Sequence, residues 1–176
     1  MDQKKSAVYQ EILFYGIAAI LMGILVGALD ALFGEVLILI TQFRGQHIAL
    51  LLPFLAVAGL AIVYIYQKFG KNSSKGMGLI FSAGNRQDEE IPKRLIPLVI
   101  GGTWLTHLFG GSAGREGVAV QIGATVGYTF GKKLPFQDSK KILLVAGMAA
   151  GFAGLFQTPL AAPFFALGEL MVGRRA

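Results

Sequence analysis

Cysteine is absent from the 176 residues, so neither a disulfide nor a thiolate-ligated metal site is available, and the redox compartment leaves no mark. Charge is scarce as well: 15% of residues are Asp, Glu, Lys or Arg against 54% hydrophobic, and mean hydropathy is +0.61. A soluble domain ordinarily carries about 25% charged residues, which puts this chain outside that class. Histidine is limited to His47 and His107, without HExxH or carboxylate spacing, so no metal-ligand or general-base pattern exists. No GxxxxGK[ST] occurs and the glycine spacing is not that of a dinucleotide fold, leaving a phosphate-cradling enzyme a distant reading. The expectation is a membrane protein, not an enzyme, that needs no cofactor. The net charge of +6 is then assigned to basic loops beside spans rather than to nucleic acid.

What the chain has is long apolar runs. Residues 12–43 carry only Asp30 and Glu35 as charges, and about 20 apolar residues cross the hydrocarbon layer. The run is too long for a cleaved leader. A second run, residues 48–66, reads as another full span, with Arg44 and His47 in the loop before it and Lys68, Lys71 and Lys75 after it. With Lys4 and Lys5 at the start, this bias puts the N-terminus in the cytoplasm. Residues 76–84 are too short to span, and "NSSKG" before them supplies turn and capping chemistry. Later apolar segments, Leu95–Phe109, 118–130, 142–156 and 159–172, are short and interrupted by glycine or proline. Such interruptions mark discontinuous, re-entrant helices that line a cavity. The glycine series 23/27, 123/127/131 and 147/151 predict small faces for close helix packing. No soluble domain or linker is visible.

"GGSAGREGVAVQIG", residues 110–123, sets Arg115 and Glu116 among small and apolar residues. Gly110, Gly111, Gly114 and Gly117 permit positive φ and close backbone approach, and a helix is expected to start near Arg115 or Glu116. Its first amides and positive dipole end would form an anion site. Glu116, expected to be buried there, would itself occupy the anion position, take up a proton and swing away when an anion arrives. The alternative is that Glu116 only caps the helix or pairs with Arg115. Intramembrane acids are functional candidates by default.

These residues carry a resemblance. "GSAGREG" followed by "VQIG" resembles the gating-glutamate signature, GxxGREGP, of the CLC chloride channel and transporter family. "KGMGL" at 75–79 stands where that family has GSGIP, and "GFAGLFQTPLAAPFFAL" at 151–167 is similar to the segment ending in NxPLAGxxF. The three occur in family order. The resemblance implies an all-α polytopic membrane protein, one half of an inverted repeat built of tilted, discontinuous and re-entrant helices, in the cell membrane. It covers nearly the whole chain but only the family's N-terminal half, so a truncated or partial member is expected.

Met77 stands where chloride-selective members have a serine, and Val118 where the motif ordinarily ends in proline; both are similar to the fluoride-selective, proton-coupled branch. The implied function is fluoride export coupled to proton uptake, with chloride transport as the alternative. A thioether donates no hydrogen bond, so Met77 removes one stabiliser of chloride. Its alternative role is gap-filling. Gly76 and Gly78 would let backbone approach the ion. Phe81, one turn on, would present a positively polarised ring edge, or simply pack in the core. The implied anion site is thus Gly76, Met77, Gly78, Gly114, Arg115, Gly117 and Val118 around the gating and proton-carrying Glu116, with Phe81 as a further lining residue.

Arg115 is expected to fix the loop by a salt bridge, Asp30 and Glu35 to face a helix partner or an interfacial rim, Glu169 to take no part in transport, and Trp104 to pack or sit at an interface. The implied partners are a halide, protons, lipid, and either a homodimer mate or a second half that completes the pore. Two opposed copies are disfavoured by the charge bias. A non-transporting subunit held through glycine faces is the rival of a different class.

Overall fold

The structure, a computed structural model, describes residues 2–85 and 89–172. Seven α-helices follow in order among these residues: α1 (Asp2–Leu51), α2 (Leu55–Phe69), α3 (Met77–Asn85), α4 (Leu95–Leu108), α5 (Arg115–Gly131), α6 (Ser139–Phe156) and α7 (Ala162–Val172). Every regular element described is helical, as the apolar runs predict. Residues 86–88 of the polar stretch after α3, and the last residues 173–176, lie outside the described residues.

One boundary differs from expectation. The expected interruption near Arg44 and His47 takes the form of a kink, not a loop: His47 leaves helical geometry (φ −126°, ψ 19°) inside α1, and a second interruption follows at a 3-10 turn over Leu52–Phe54. The reason for the second is Pro53, which lacks an amide hydrogen and cannot continue the α-helical ladder. The run 48–66 is therefore not one continuous span.

Packing against α4 shows that the chain nonetheless reverses there. Phe33, Leu37, Val99, Ile100 and Trp104 share one cluster, Trp104 Nε1 donates to the Phe33 carbonyl at 3.2 Å, and Arg44 reaches the His107 carbonyl at 3.3 Å. Hence α4 runs alongside α1 in the same direction. Arg94 donates to the Phe69 carbonyl at 2.9 Å, while Gly111 lies against Leu55, so α2 is antiparallel to both. The expected packing role of Trp104 is met, its ring stacked on Phe33 at 6.4 Å.

The centre of the bundle is the α5–α6 pair. A Cβ placed on Gly123 would fall on the Gly147 carbonyl, one on Gly127 on the Leu143 carbonyl, and one on Gly151 on the Ala119 carbonyl. Backbone touches backbone along the crossing, the close approach small residues allow. Gly23 and Gly27 differ: a Cβ at either meets nothing within 4 Å, so their spacing is not used for packing within this chain. α1 lays one stripe, Ala18, Met22, Val26, Asp30, Phe33 and Leu37, onto α4, α5 and α6.

The rest of α1 and α2 exposes large apolar side chains, among them Ile20, Ile24, Leu39, Leu50, Leu60 and Val63. The helical stretch Tyr9–Phe69 and α6 are long and apolar enough to cross a membrane. α3, α4 and α5, at nine, 14 and 17 residues, measure about 13, 21 and 25 Å, short of the roughly 30 Å hydrocarbon thickness.

Candidate functional site

α5 starts abruptly. Gly110, at φ +87°, turns the chain after α4, the next residues extend, and Gly114 (φ −68°, ψ 124°) caps α5 without any side-chain hydrogen bond. The amides of the first turn, Arg115 to Val118, thus point forward without a cap. Of the four glycines expected to use positive φ, only Gly110 does. Gly111 instead lies against Thr106 and Leu55, where a side chain has no room, and Gly114 needs neither.

The depth of this tip follows from its neighbours. Val118 packs on Phe33 and Leu37, whereas α1 continues beyond that level to its kink at His47 with Ile38, Leu39 and Phe43 exposed. That continuation is about 14 Å long, so α5 begins partway along an apolar helix rather than at its end.

A second tip meets it. After a 3-10 turn over Lys71–Lys75, Gly76 adopts φ +54°, ψ −127°, a conformation open to glycine, and α3 starts at Met77. A Cβ placed at Gly117 would lie 4.0 Å from Met77 Cγ. The side chain of Met77 therefore lies beside the first turn of α5, bringing together two segments separated by about forty residues of sequence. Gly78 is exposed on the first turn of α3, while Phe81, half-buried on the same face as Met77, packs with it against the Leu79–Ile80–Val120–Leu144 core.

Two expectations fail here. Glu116 is exposed in this chain, not buried, because no described helix covers the α5 tip on that side. Arg115 forms no salt bridge among the described residues; it lines a cavity of about 360 Å³ with Thr41, Gln42, Arg44 and His107. That gathering was hidden in the sequence because Arg44 reads as a loop residue there, and only the parallel run of α1 and α4 brings it beside His107. Glu35 is exposed, and Glu169 lies in α7 beside Leu170, whose side chain meets Gly84 at the far end of α3.

The opposite end of the bundle is basic. Lys75 pairs with Glu89 at 2.7 Å, Lys132 with Glu90 at 2.5 Å, and Lys140 and Lys141 share a pocket with Lys132 where α6 begins. The Lys132 ammonium, by its hydrogen bond, holds the Glu90 carboxyl below its ordinary range, and Glu90 raises Lys132 in return.

Short helices that begin beside one another, among longer helices with apolar outer faces, define a membrane protein with discontinuous helices. The chain matches the family described as voltage gated chloride channel, Voltage_CLC, over residues 58–175. It is 40% identical over 158 residues to a chloride/fluoride channel protein of Pseudomonas syringae pv. tomato, covering 88% of this chain and 34% of the relative. It is 28% identical over 167 residues to the H(+)/Cl(−) exchange transporter ClcA of Vibrio cholerae, covering 86% of this chain and 36% of that one. Among solved structures it superposes on a CLC-type fluoride/proton antiporter with a TM-score of 0.86 and 45% identity, over 94% of this chain and 44% of the other. The protein belongs to the CLC, or voltage gated chloride channel, family. It spans about a third of the length of these curated relatives.

Proposed function

We propose that this chain is the N-terminal half of a CLC-type transmembrane domain and serves fluoride export coupled to proton uptake. The observation that carries the reading is the meeting of the α3 and α5 tips, with Met77 beside Gly117 and Glu116 on the uncapped first turn. Two helix N-termini present unsatisfied amides and positive dipole ends to one place, which stabilises a small anion stripped of water. Gly76, Met77 and Gly78 contribute from α3, and Gly114, Arg115, Gly117 and Val118 from α5. Phe81, on the same face of α3 as Met77, extends the lining.

Glu116 then acts as the gate. As a carboxylate it competes with halide for the α5 tip; once protonated it loses that attraction and withdraws, so one proton is exchanged against the anion's passage. Its exposure fits a half-site whose remaining wall comes from a second half, and the apolar surface made by Leu160 before α7 and by Phe164, Leu167 and Met171 on it fits contact with lipid or a second copy. Fluoride is favoured by Met77, which offers no hydroxyl where a chloride site would have one, and by the higher identity to the chloride/fluoride channel protein and the fluoride/proton antiporter than to the chloride exchanger. The basic end fits a cytoplasmic side, with the N-terminus there and the chain crossing the cell membrane several times.

The test is fluoride efflux from loaded liposomes, measured with an ion electrode, using the chain with and without a second-half partner. Efflux that appears with the partner, acidifies the lumen in step with fluoride as protons enter, and falls to background in Glu116→Ala supports the proposal; a lumen that turns alkaline as fluoride leaves overturns the exchange. Stable co-purification with no flux of either halide overturns it in favour of a structural subunit.

A further inference from the structure

The buried stripe of α1 carries one charged residue, Asp30, with 7% of its surface exposed. Neither carboxyl oxygen has a hydrogen-bond partner among the described residues. Across from it stands Gly154 of α6, where a Cβ would lie 2.8 Å from Asp30 Oδ2. Gly154 is two residues from the end of α6, and the Gln157 amide bonds back to Ala153. The carbonyls of the last turn after Ala153 have no following helical amide to receive, and they form the negative end of the helix dipole.

A bare carboxylate is badly placed there: it is out of water, beside a negative helix end, and no charged neighbour acts on it. The charged groups on the surrounding elements lie elsewhere. Lys140 and Lys141 are at the opposite end of α6, Arg115 and Glu116 at the α5 tip, Arg94 and His107 at the ends of α4, and Glu35 and Arg44 farther along α1, Glu35 on its exposed face. A metal cation needs several oxygen ligands around it, and Asp30 belongs to no cluster of three or more carboxylate or imidazole side chains among the described residues. A proton needs no such cluster, and a neutral carboxyl brings the donor that the terminal carbonyls lack.

We infer that Asp30 and the last turn of α6 form a proton-binding site, distinct from the α3–α5 tips, in which the carboxyl O–H is donated to a terminal α6 carbonyl and clamps α1 to α6. The inference does not depend on which ion the protein carries. Releasing the proton places a carboxylate against the helix end and loosens the α1–α6 contact, so stability conferred by the clamp is lost as pH rises.

The experiment is infrared spectroscopy on the reconstituted protein that contains this chain, from mildly acid to alkaline pH, paired with thermal unfolding in sodium, potassium or choline chloride. The expected result is a protonated-carboxyl C=O band at neutral pH that is missing in Asp30→Asn and displaced in frequency in Asp30→Glu, with wild-type midpoints falling toward alkaline pH while those of Asp30→Asn stay flat. A spectrum identical in wild type and Asp30→Asn overturns the inference. So does a midpoint that follows sodium or potassium instead of pH, which would assign the site to a metal cation. Should Asp30→Asn not fold, the band position in Asp30→Glu decides: an unmoved band overturns it.

Discussion

At the scale of single residues, Gly76 and Met77 carry different kinds of information. Gly76 holds a backbone conformation that L side chains rarely adopt, and forcing an alanine there costs about 1–3 kcal/mol. Gly76→Ala is expected to lower the thermal midpoint of the reconstituted protein and to weaken halide binding, since the α3 tip must reorient; calorimetry with and without fluoride checks both. In the proposed site, Met77 bears on the choice of halide rather than on strength of binding. Met77→Ser restores a hydroxyl donor, so relative chloride flux is expected to rise; an unchanged chloride to fluoride ratio removes Met77 from selectivity. Both residues were legible from the short motif they sit in, as were Arg115 and Glu116. Their surroundings were not, because the exposure of Glu116 and the lack of a salt bridge to Arg115 among the described residues depend on which helices lie beside them.

Among elements, the α5–α6 crossing is the one whose failure would be felt first. The carbonyl of Gly147 occupies the space a side chain at Gly123 would need, and neither is a flexible side-chain end. Gly123→Ala is expected to cost about 1–3 kcal/mol through overpacking, whereas Gly27→Ala, which meets nothing within 4 Å, is expected to be neutral; thermal unfolding of the two variants side by side checks the contrast. The two series look alike in sequence because spacing of four reports a face and not whether another helix covers it.

The ion pair between Glu90 and Lys132 ties the segment before α4 to the end of α5. Lys132 depresses the Glu90 carboxyl from 4.5, so the folded state binds fewer protons there than the unfolded chain. The pair's contribution is present above about that value and fades as pH falls through the lower folded one. Being exposed, the pair is worth little. The midpoint difference between wild type and Glu90→Gln is expected to be small at neutral pH and to vanish in acid.

For the molecule as a whole, the distribution of charge and apolar surface governs orientation. Lys71, Lys75, Lys132 and Lys140 gather at one end, while Arg44 and Arg115 stand toward the other. With no native cysteine, single cysteines report sidedness cleanly: Gln137→Cys is expected to react with an impermeant maleimide only from the cytoplasmic face, and Gln46→Cys only from outside. Labelling of both from one face would refute the topology. The apolar outer surface of α1 and α2 explains why composition alone announced a membrane protein, for lipid accepts what water would not.

Sequence by itself determined the class, the discontinuous character of the later helices, and the family motifs, because each is a local property: hydropathy over a run, a glycine or proline interrupting it, a few residues in fixed order. Tertiary structure decided where the chain turns after α1, which glycines touch, that Met77 lies beside the first turn of α5, and that Asp30 faces a helix end without a partner. Those are relations between segments far apart in sequence. They arise only when short helices pack side by side, and no pattern along a single strand of residues encodes which face meets which.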